Sequence, residues 1–194
     1  MKSFSQSKNQ RGSYLVGIAI GLMVTLFLAA YAIPKFQSML VEGAIPSVAE
    51  QIQRYVANTK VATKGAGTTP YTGLTQAQFA RAVKGSSLEV GTVSGQGTGS
   101  TVVRHGLGGG DTGLVTLATT GATFSLTFAA VSDYACPGLA QALQRSFDGI
   151  TINATAVKAT DAAGVVTQAY VAGTAASRCV DGDNNIFVFT VARN

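Results

Sequence analysis

The chain has 194 residues, with 14 Lys and Arg against 9 Asp and Glu, 23 glycines, two cysteines and no tryptophan. Lys2, Lys8 and Arg11 all precede Gly12, so the rest of the chain holds 11 basic residues against 9 acidic, a balance of only +2. No later stretch clusters Lys and Arg, which excludes a nucleic-acid surface, and the composition is not that of a disordered chain; the length fits one domain beyond a hydrophobic segment.

Residues 1–12 are polar and positive and contain no acidic residue. Ahead of an apolar run this holds the amino terminus on the cytoplasmic side of a membrane. From Tyr14 to Ile33 run 20 residues that are apolar apart from Gly17, Gly21, Thr25 and the ring hydroxyls of Tyr14 and Tyr31. At about 1.5 Å per residue such a helix spans roughly 30 Å, the thickness of a hydrocarbon core. Three readings compete. Ala30-Tyr31-Ala32 is a match to a secretory cleavage site before Ile33, although the run is long for the apolar part of a signal peptide. A one-pass anchor is permitted by the length. The third reading comes from a family.

Arg11-Gly12 closes a short basic leader, and Pro34 stands twenty-two residues after Gly12, within Ala29-Ala30-Tyr31-Ala32-Ile33-Pro34-Lys35-Phe36. This pattern resembles the amino-terminal region of type IV pilins and their relatives. The resemblance implies that a prepilin peptidase cuts between Gly12 and Ser13, that the new amine is methylated, and that the apolar helix is kept. One position departs: Gly17 stands at the fifth mature position, where the family usually has a glutamate whose carboxylate neutralises a neighbouring subunit's amine. An ammonium without a partner inside an apolar bundle is costly. The departure bears on the role of a major, polymer-forming subunit, because some minor pilins also lack the glutamate. Gly17 and Gly21 form a G-x-x-x-G pair, which permits close approach of helices.

The helix is expected to continue past Pro34, which removes a backbone donor and bends the axis, with a second weak point at Gly43 and Pro46. Phe36, Met39, Leu40, Val48, Ile52, Tyr55 and Val56 recur at three- and four-residue steps, and Lys35, Glu42, Glu50, Gln53 and Arg54 fall largely on the other side. That pattern predicts an amphipathic continuation with its apolar stripe against a domain. The helix from Tyr14 to about Thr59 would be roughly 70 Å long at 1.5 Å per residue.

Residues 64–73 read as a loop, and Thr75 as the cap of a short helix, Gln76 to Lys84, closed by Gly85, with Leu74, Phe79 and Val83 facing a core. Leu88, Val90 and Val93 predict a brief strand. Residues 95–99, GQGTG, and the run from His105 to Asp111 lack the strand, helix and lysine of a phosphate loop and read as turns or surface loops. Leu114 to Leu117 and Ala122 to Val131 predict two strands about a turn at 119–121, with Phe124, Leu126 and Phe128 on one buried face. Cys136-Pro137 opens a helix that runs from Gly138 to Phe147, with Leu139 and Leu143 on one face. Ile150, Ile152, Ala154 and Ala156 alternate as one strand; further strands cover Val165 to Ala169 and Asn185 to Val191, with a helical turn over Ala172 to Cys179 and a turn at 181–184.

Catalytic sets are not evident. His105, the single histidine, reads as a surface residue in a loop near Asp111; there is no G-x-S-x-G or H-E-x-x-H. Asp181, Asp183 and Asn184 are a fragment of a calcium loop without its twelfth-position glutamate. Asn153-Ala154-Thr155 matches a glycosylation sequon. In an exported chain Cys136 and Cys179 read as one disulfide, with two buried thiols as the alternative. No cofactor or metal is expected.

The carboxy-terminal part carries a second likeness. A Cys136-Pro137 helix start, the strand Ile150-Thr151-Ile152-Asn153, the Ala175 to Cys179 element and the terminal segment from Asn184-Asn185-Ile186 to Phe189-Thr190 resemble the heads of type IVb pilins, especially PilS-type pilins of conjugative thin pili. The resemblance implies an α+β pilin fold: a long kinked amino-terminal helix packed on an antiparallel sheet, with a carboxy-terminal region bounded by the Cys136–Cys179 disulfide. That bridge closes a loop of 44 residues, counting both ends, for about 4 kcal/mol on the chain-entropy model.

The expected division is a leader at 1–12, a long helix at 13–62 with its membrane or filament-core part at 13–34, and a head at 63–194. The expected function is a non-enzymatic pilus subunit. It waits in the bacterial inner membrane and is then polymerised into extracellular filaments for adhesion, aggregation or mating contact. Its partners would be copies of itself and other pilins, prepilin peptidase, and an inner-membrane platform with its ATPase, with no nucleic acid bound directly. The alternatives are a minor pilin, a pseudopilin of a type II secretion-like system, or a secreted binding domain or enzyme.

Overall fold

A computed structural model describes residues 10–92, 101–161 and 164–193. The chain divides into two compact units, with the boundary between Leu40 and Val41. Helix α1 covers Gln10–Ala62 and runs without a break through Pro34, Gly43 and Pro46.

In the first unit α1 carries its apolar side chains outward. Tyr14 is 74% and Phe27 75% exposed, and Phe36, Met39 and Leu40 are exposed as well. The expected stripe is corrected there: burial on α1 begins at Ile45 and continues through Val48, Ala49, Ile52, Tyr55 and Val56, at steps of three, one, three, three and one. These belong to the second unit, where they pack in one core with the sheet.

That sheet has six antiparallel strands: β3 (Val115–Thr119), β4 (Phe124–Val131), β5 (Gly149–Ile152), β6 (Thr155–Thr160), β7 (Val166–Gln168) and β8 (Asn185–Val191), in the order β3-β4-β8-β5-β6-β7. The register pairs Leu126 with Phe189 and Ile150 with Phe189, so the inward residues of three strands meet in one layer. Phe124, Leu126, Phe128, Phe187 and Phe189 are fully buried, as period-two alternation requires. Strands β1 (Glu89–Thr92) and β2 (Thr101–Arg104) form a separate ribbon, linked to the main sheet by the Arg104–Leu114 bridge.

Helix α2 (Gln76–Val83) starts at a complete capping box. Thr75 Oγ1 accepts from Gln78 N, and Gln78 Oε1 accepts from Thr75 N. Its Gln76 donates to the Val115 carbonyl at 2.9 Å and accepts from Leu117 N at 2.8 Å. One side chain thus satisfies β3 where a further strand could pair.

Helix α3 (Cys136–Leu143) ends four residues sooner than expected. Lys158 Nζ donates to the Gln144 and Phe147 carbonyls at 2.7 and 2.6 Å. A cation thereby satisfies carbonyls just beyond the helix. The single strand expected over 150–156 is two. Asn153 and Ala154 both have positive φ, 48° and 65°, which makes the two-residue turn that reverses β5 into β6. No strand is expected over 101–104, where β2 forms, and Val93 and residues 95–99 lie outside the described residues. Helix α4 is Ala172–Ala176.

Candidate functional site

The segment of α1 from Tyr14 to Leu40 is the first candidate. It is long and apolar enough to cross a membrane, and its most apolar stretch has no buried residue. Two of its hydroxyls are satisfied within the helix: Thr25 Oγ1 donates to the Gly21 and Leu22 carbonyls at 3.1 and 2.9 Å, and Ser38 Oγ to the Lys35 carbonyl at 2.9 Å. Such internal satisfaction is what an apolar surrounding demands. Side chains added at Gly17 or Gly21 would meet nothing within 4 Å, so both glycines are open to a neighbour. Gly12, Ser13 and Pro34 lie on the same helical backbone. No carboxylate precedes Glu42 in the chain, so Gly17 has no substitute on this segment.

The second candidate is the carboxy-terminal clamp. Cys136 and Cys179 are joined, with the Cα atoms 6.0 Å apart. The bridge ties α3 to the turn after α4. Asn185, fully buried at the start of β8, holds the same region. Its Nδ2 donates to the Val180 and Val131 carbonyls at 2.8 and 3.2 Å. Its Oδ1 accepts from Val180 N at 2.8 Å and from Asn153 Nδ2 at 3.0 Å. Asn153 also donates to the Arg178 carbonyl and accepts from Ile186 N. Both ends of its amide are engaged, so the sequon is a structural element here. Asp148 Oδ2 accepts from Ala192 N at 2.9 Å and pairs with Lys60 Nζ at 3.4 Å. Burial pushes the Lys158 ammonium below its usual range, with Asp148 opposing that and Lys60 adding to it. The clamp roles of Asn185, Asn153, Asp148 and Lys158 are not read from the sequence, in which Asn153 figures in a sequon and Asn185 as the start of the last strand. Only the polar start of an apolar strand, at Asn185, could have signalled one of them.

His105 corrects an expectation. It is fully buried, not on the surface. Its Nδ1 accepts from Leu107 N at 2.9 Å, so Nε2 carries the proton and donates to the Ala129 carbonyl at 2.8 Å. Its ring stacks on Phe128 with centroids 5.6 Å apart. Ala130 has a positive φ of 55°, and the pairing of β4 with β8 shifts between Phe128 and Val131; the Ala129 carbonyl that accepts the histidine's hydrogen bond lies inside this bulge. Burial holds the imidazole below its usual range, and the Ala129 contact and Asp183 offset part of that. Both nitrogens are occupied, so the ring locks a glycine-rich loop. Asp111 pairs with Arg104 Nη2 at 3.2 Å, and Asp183 Oδ2 accepts from Gly109 N at 2.8 Å. Among the described residues no group of three His, Cys, Asp or Glu is placed to hold a metal ion.

A comparison with curated protein sequences finds no match. Among solved structures, the chain is similar to a type IV b pilin from Salmonella typhi, at 22% identity and a TM-score of 0.49, over 76% of this chain and 98% of that one. The family described as PilS N terminal matches residues 44–192. That span holds the sheet, the disulfide and the Asn185 clamp, and it exceeds half of the chain: the chain belongs to the PilS N-terminal family of type IVb pilins.

Proposed function

We propose that this pilin subunit polymerises through α1 into a type IVb pilus that serves adhesion, aggregation or conjugative mating contact. One observation carries the proposal: the apolar side chains of α1 from Tyr14 to Leu40 stand exposed in the single chain. Burying a large aliphatic or aromatic side chain contributes roughly 1.5–3 kcal/mol. Summed over this segment, that exceeds the roughly 5–15 kcal/mol net stability of a whole domain. The surface therefore needs lipid before assembly and neighbouring helices after it. In this reading residues 1–12 are a leader, 13–62 the long helix with 13–34 as its membrane and filament-core part, and 63–194 the head. Prepilin peptidase cuts between Gly12 and Ser13, the new amine is methylated, and a platform with its ATPase moves the subunit from the inner membrane to the cell exterior. Tyr14, Gly17, Gly21 and Pro34 lie on the assembly helix.

Gly17 favours a second reading, a minor pilin or pseudopilin that joins few copies of itself. A chain released by signal peptidase before Ile33 is the rival outside the family's mode of processing. Replacing Gly12 by Asp tests the processing. The expected result is an uncut precursor retained in the membrane fraction and no surface filament; a mature mass equal to that of the unaltered chain contradicts it.

A further inference from the structure

Lys35 and Glu42 are the only charged residues between Tyr14 and Ala49. Both are exposed. Neither takes part in an ion pair among the described residues, whereas Glu50 and Arg54, further along the same helix, pair at 2.5 Å. The sequence explains the contrast. Helical partners stand three or four positions away. Around Lys35 those positions are Tyr31, Ala32, Ser38 and Met39; around Glu42 they are Ser38, Met39, Ile45 and Pro46. None can neutralise either charge. Lys35 and Glu42 are seven residues apart, about 10 Å of helical rise, beyond the reach of an ion pair within one chain.

Their surroundings are apolar, with Ile33, Phe36, Met39 and Leu40 exposed nearby. If this stretch is packed among other helices, each charge loses water and needs a counter-charge, because a desolvated ion without a partner costs several kcal/mol. We infer that Lys35 of one copy pairs with Glu42 of a neighbouring parallel copy, and that this pair sets the stagger between them at seven residues. The inference rests on the assembly reading above. Copies inserted in one membrane share an orientation. With no stagger, lysine faces lysine and glutamate faces glutamate, which is repulsive. A seven-residue stagger brings Lys35 level with Glu42, and each copy then offers a free Glu42 or Lys35 to the next, so the contact propagates without closing. The same stagger brings Phe36 level with Gly43. A side-chain carbon at Gly43 would meet nothing within 4 Å, so a ring has room there. The pair supplies a polar register device on a helix that lacks a carboxylate at Gly17, in the manner of a single polar residue in an apolar seam.

The test uses the full-length chain in cells that assemble it, with filaments sheared off and subunit measured in the sheared and membrane fractions. K35E and E42K each lower the sheared fraction by about tenfold or more, because like charges then face each other, while the membrane pool is unchanged. The double variant K35E/E42K returns it to within about threefold of the unaltered chain, the reversed pair having restored the attraction. Single variants that assemble normally, or a double variant no better than the singles, overturn the pairing. If E42K fails and K35E assembles normally, Glu42 serves another cation, such as the amine created at Ser13, and the pairing is overturned. As a second measurement, cells making K35C and E42C chains together yield a cross-linked dimer in filaments treated with mild oxidant, and K35C alone does not. Filaments with no such dimer contradict the stagger. A chain that enters the membrane but enters no filament in its unaltered form overturns the assembly reading itself, which the charge variants do not address.

Discussion

Replacing Asn185 by Ala removes the clamp between β8 and the disulfide-bounded region without touching the bridge. The side chain makes four hydrogen bonds, to Val131, Asn153 and twice to Val180. Their losses are unequal. Val131 is fully buried, so its carbonyl loses its side-chain donor where water does not reach, at a cost of about 1–3 kcal/mol. Val180 is 47% exposed, so water can replace its bonds, and the loss is nearer about 1 kcal/mol for each remaining bond. The total comes to about 4–6 kcal/mol, a large part of the roughly 5–15 kcal/mol net stability usual for a domain. The assay is urea unfolding of the purified chain in detergent, followed by near-ultraviolet circular dichroism of the tyrosines, since there is no tryptophan. With a slope near 2 kcal/mol/M the midpoint falls by about 2–3 M. A loss below about 1 kcal/mol refutes the reasoning, because it means that water satisfies the buried Val131 carbonyl as well as Asn185 does.

Removing the bridge with Cys136→Ala and Cys179→Ala lowers stability by about 4 kcal/mol on the loop-entropy argument. Reductant lowers the urea midpoint of the unaltered chain and leaves that of the variant where it is. His105 makes the head acid-sensitive. Its imidazole is held below its usual range by burial, so the unfolded chain takes up the proton first. Stability is therefore level above about pH 6.5 and falls below it, by up to about 1.4 kcal/mol per pH unit, until the folded state titrates. His105→Gln flattens the dependence between pH 6.5 and 5; curves that stay parallel to those of the unaltered chain contradict the assignment.

Where burial imposes a period, the fold was legible. The run Asn185 to Val191 reads as a strand and forms β8, and the alternation of Phe124, Leu126 and Phe128 located β4. Helix α2 was legible from Thr75, whose cap forms with Gln78. What failed depends on contacts distant in sequence. The end of α3 is set by Lys158, and nothing local to Gln144 announces it. Ile150, Ile152, Ala154 and Ala156 keep perfect alternation across a turn, because the two-residue loop at Asn153-Ala154 costs no change of phase. Strand β2 has one fully buried side chain, Val103, too little to make a pattern. His105 is buried because a bulge at Ala130 points a carbonyl at it, and a bulge leaves no composition signature. On α1 the apolar positions 36, 39 and 40 continue the period of the core stripe, yet they stand exposed; spacing alone does not separate a face that meets its own domain from one that awaits another chain. The Cys136–Cys179 bridge was legible from exported context and family likeness, whereas the isolation of Lys35 and Glu42 shows in their exposure and in the lack of an ion-pair partner for either among the described residues.

The most direct measurement is the mass and amino-terminal sequence of this chain recovered from sheared surface filaments. Filament subunits that begin at Ser13, with the helix from Tyr14 onward retained, agree with processing after Gly12 and assembly through α1. A chain absent from filaments, or released with Ile33 as its first residue, contradicts the central claim, because the helix that assembly requires would then be missing from the mature product.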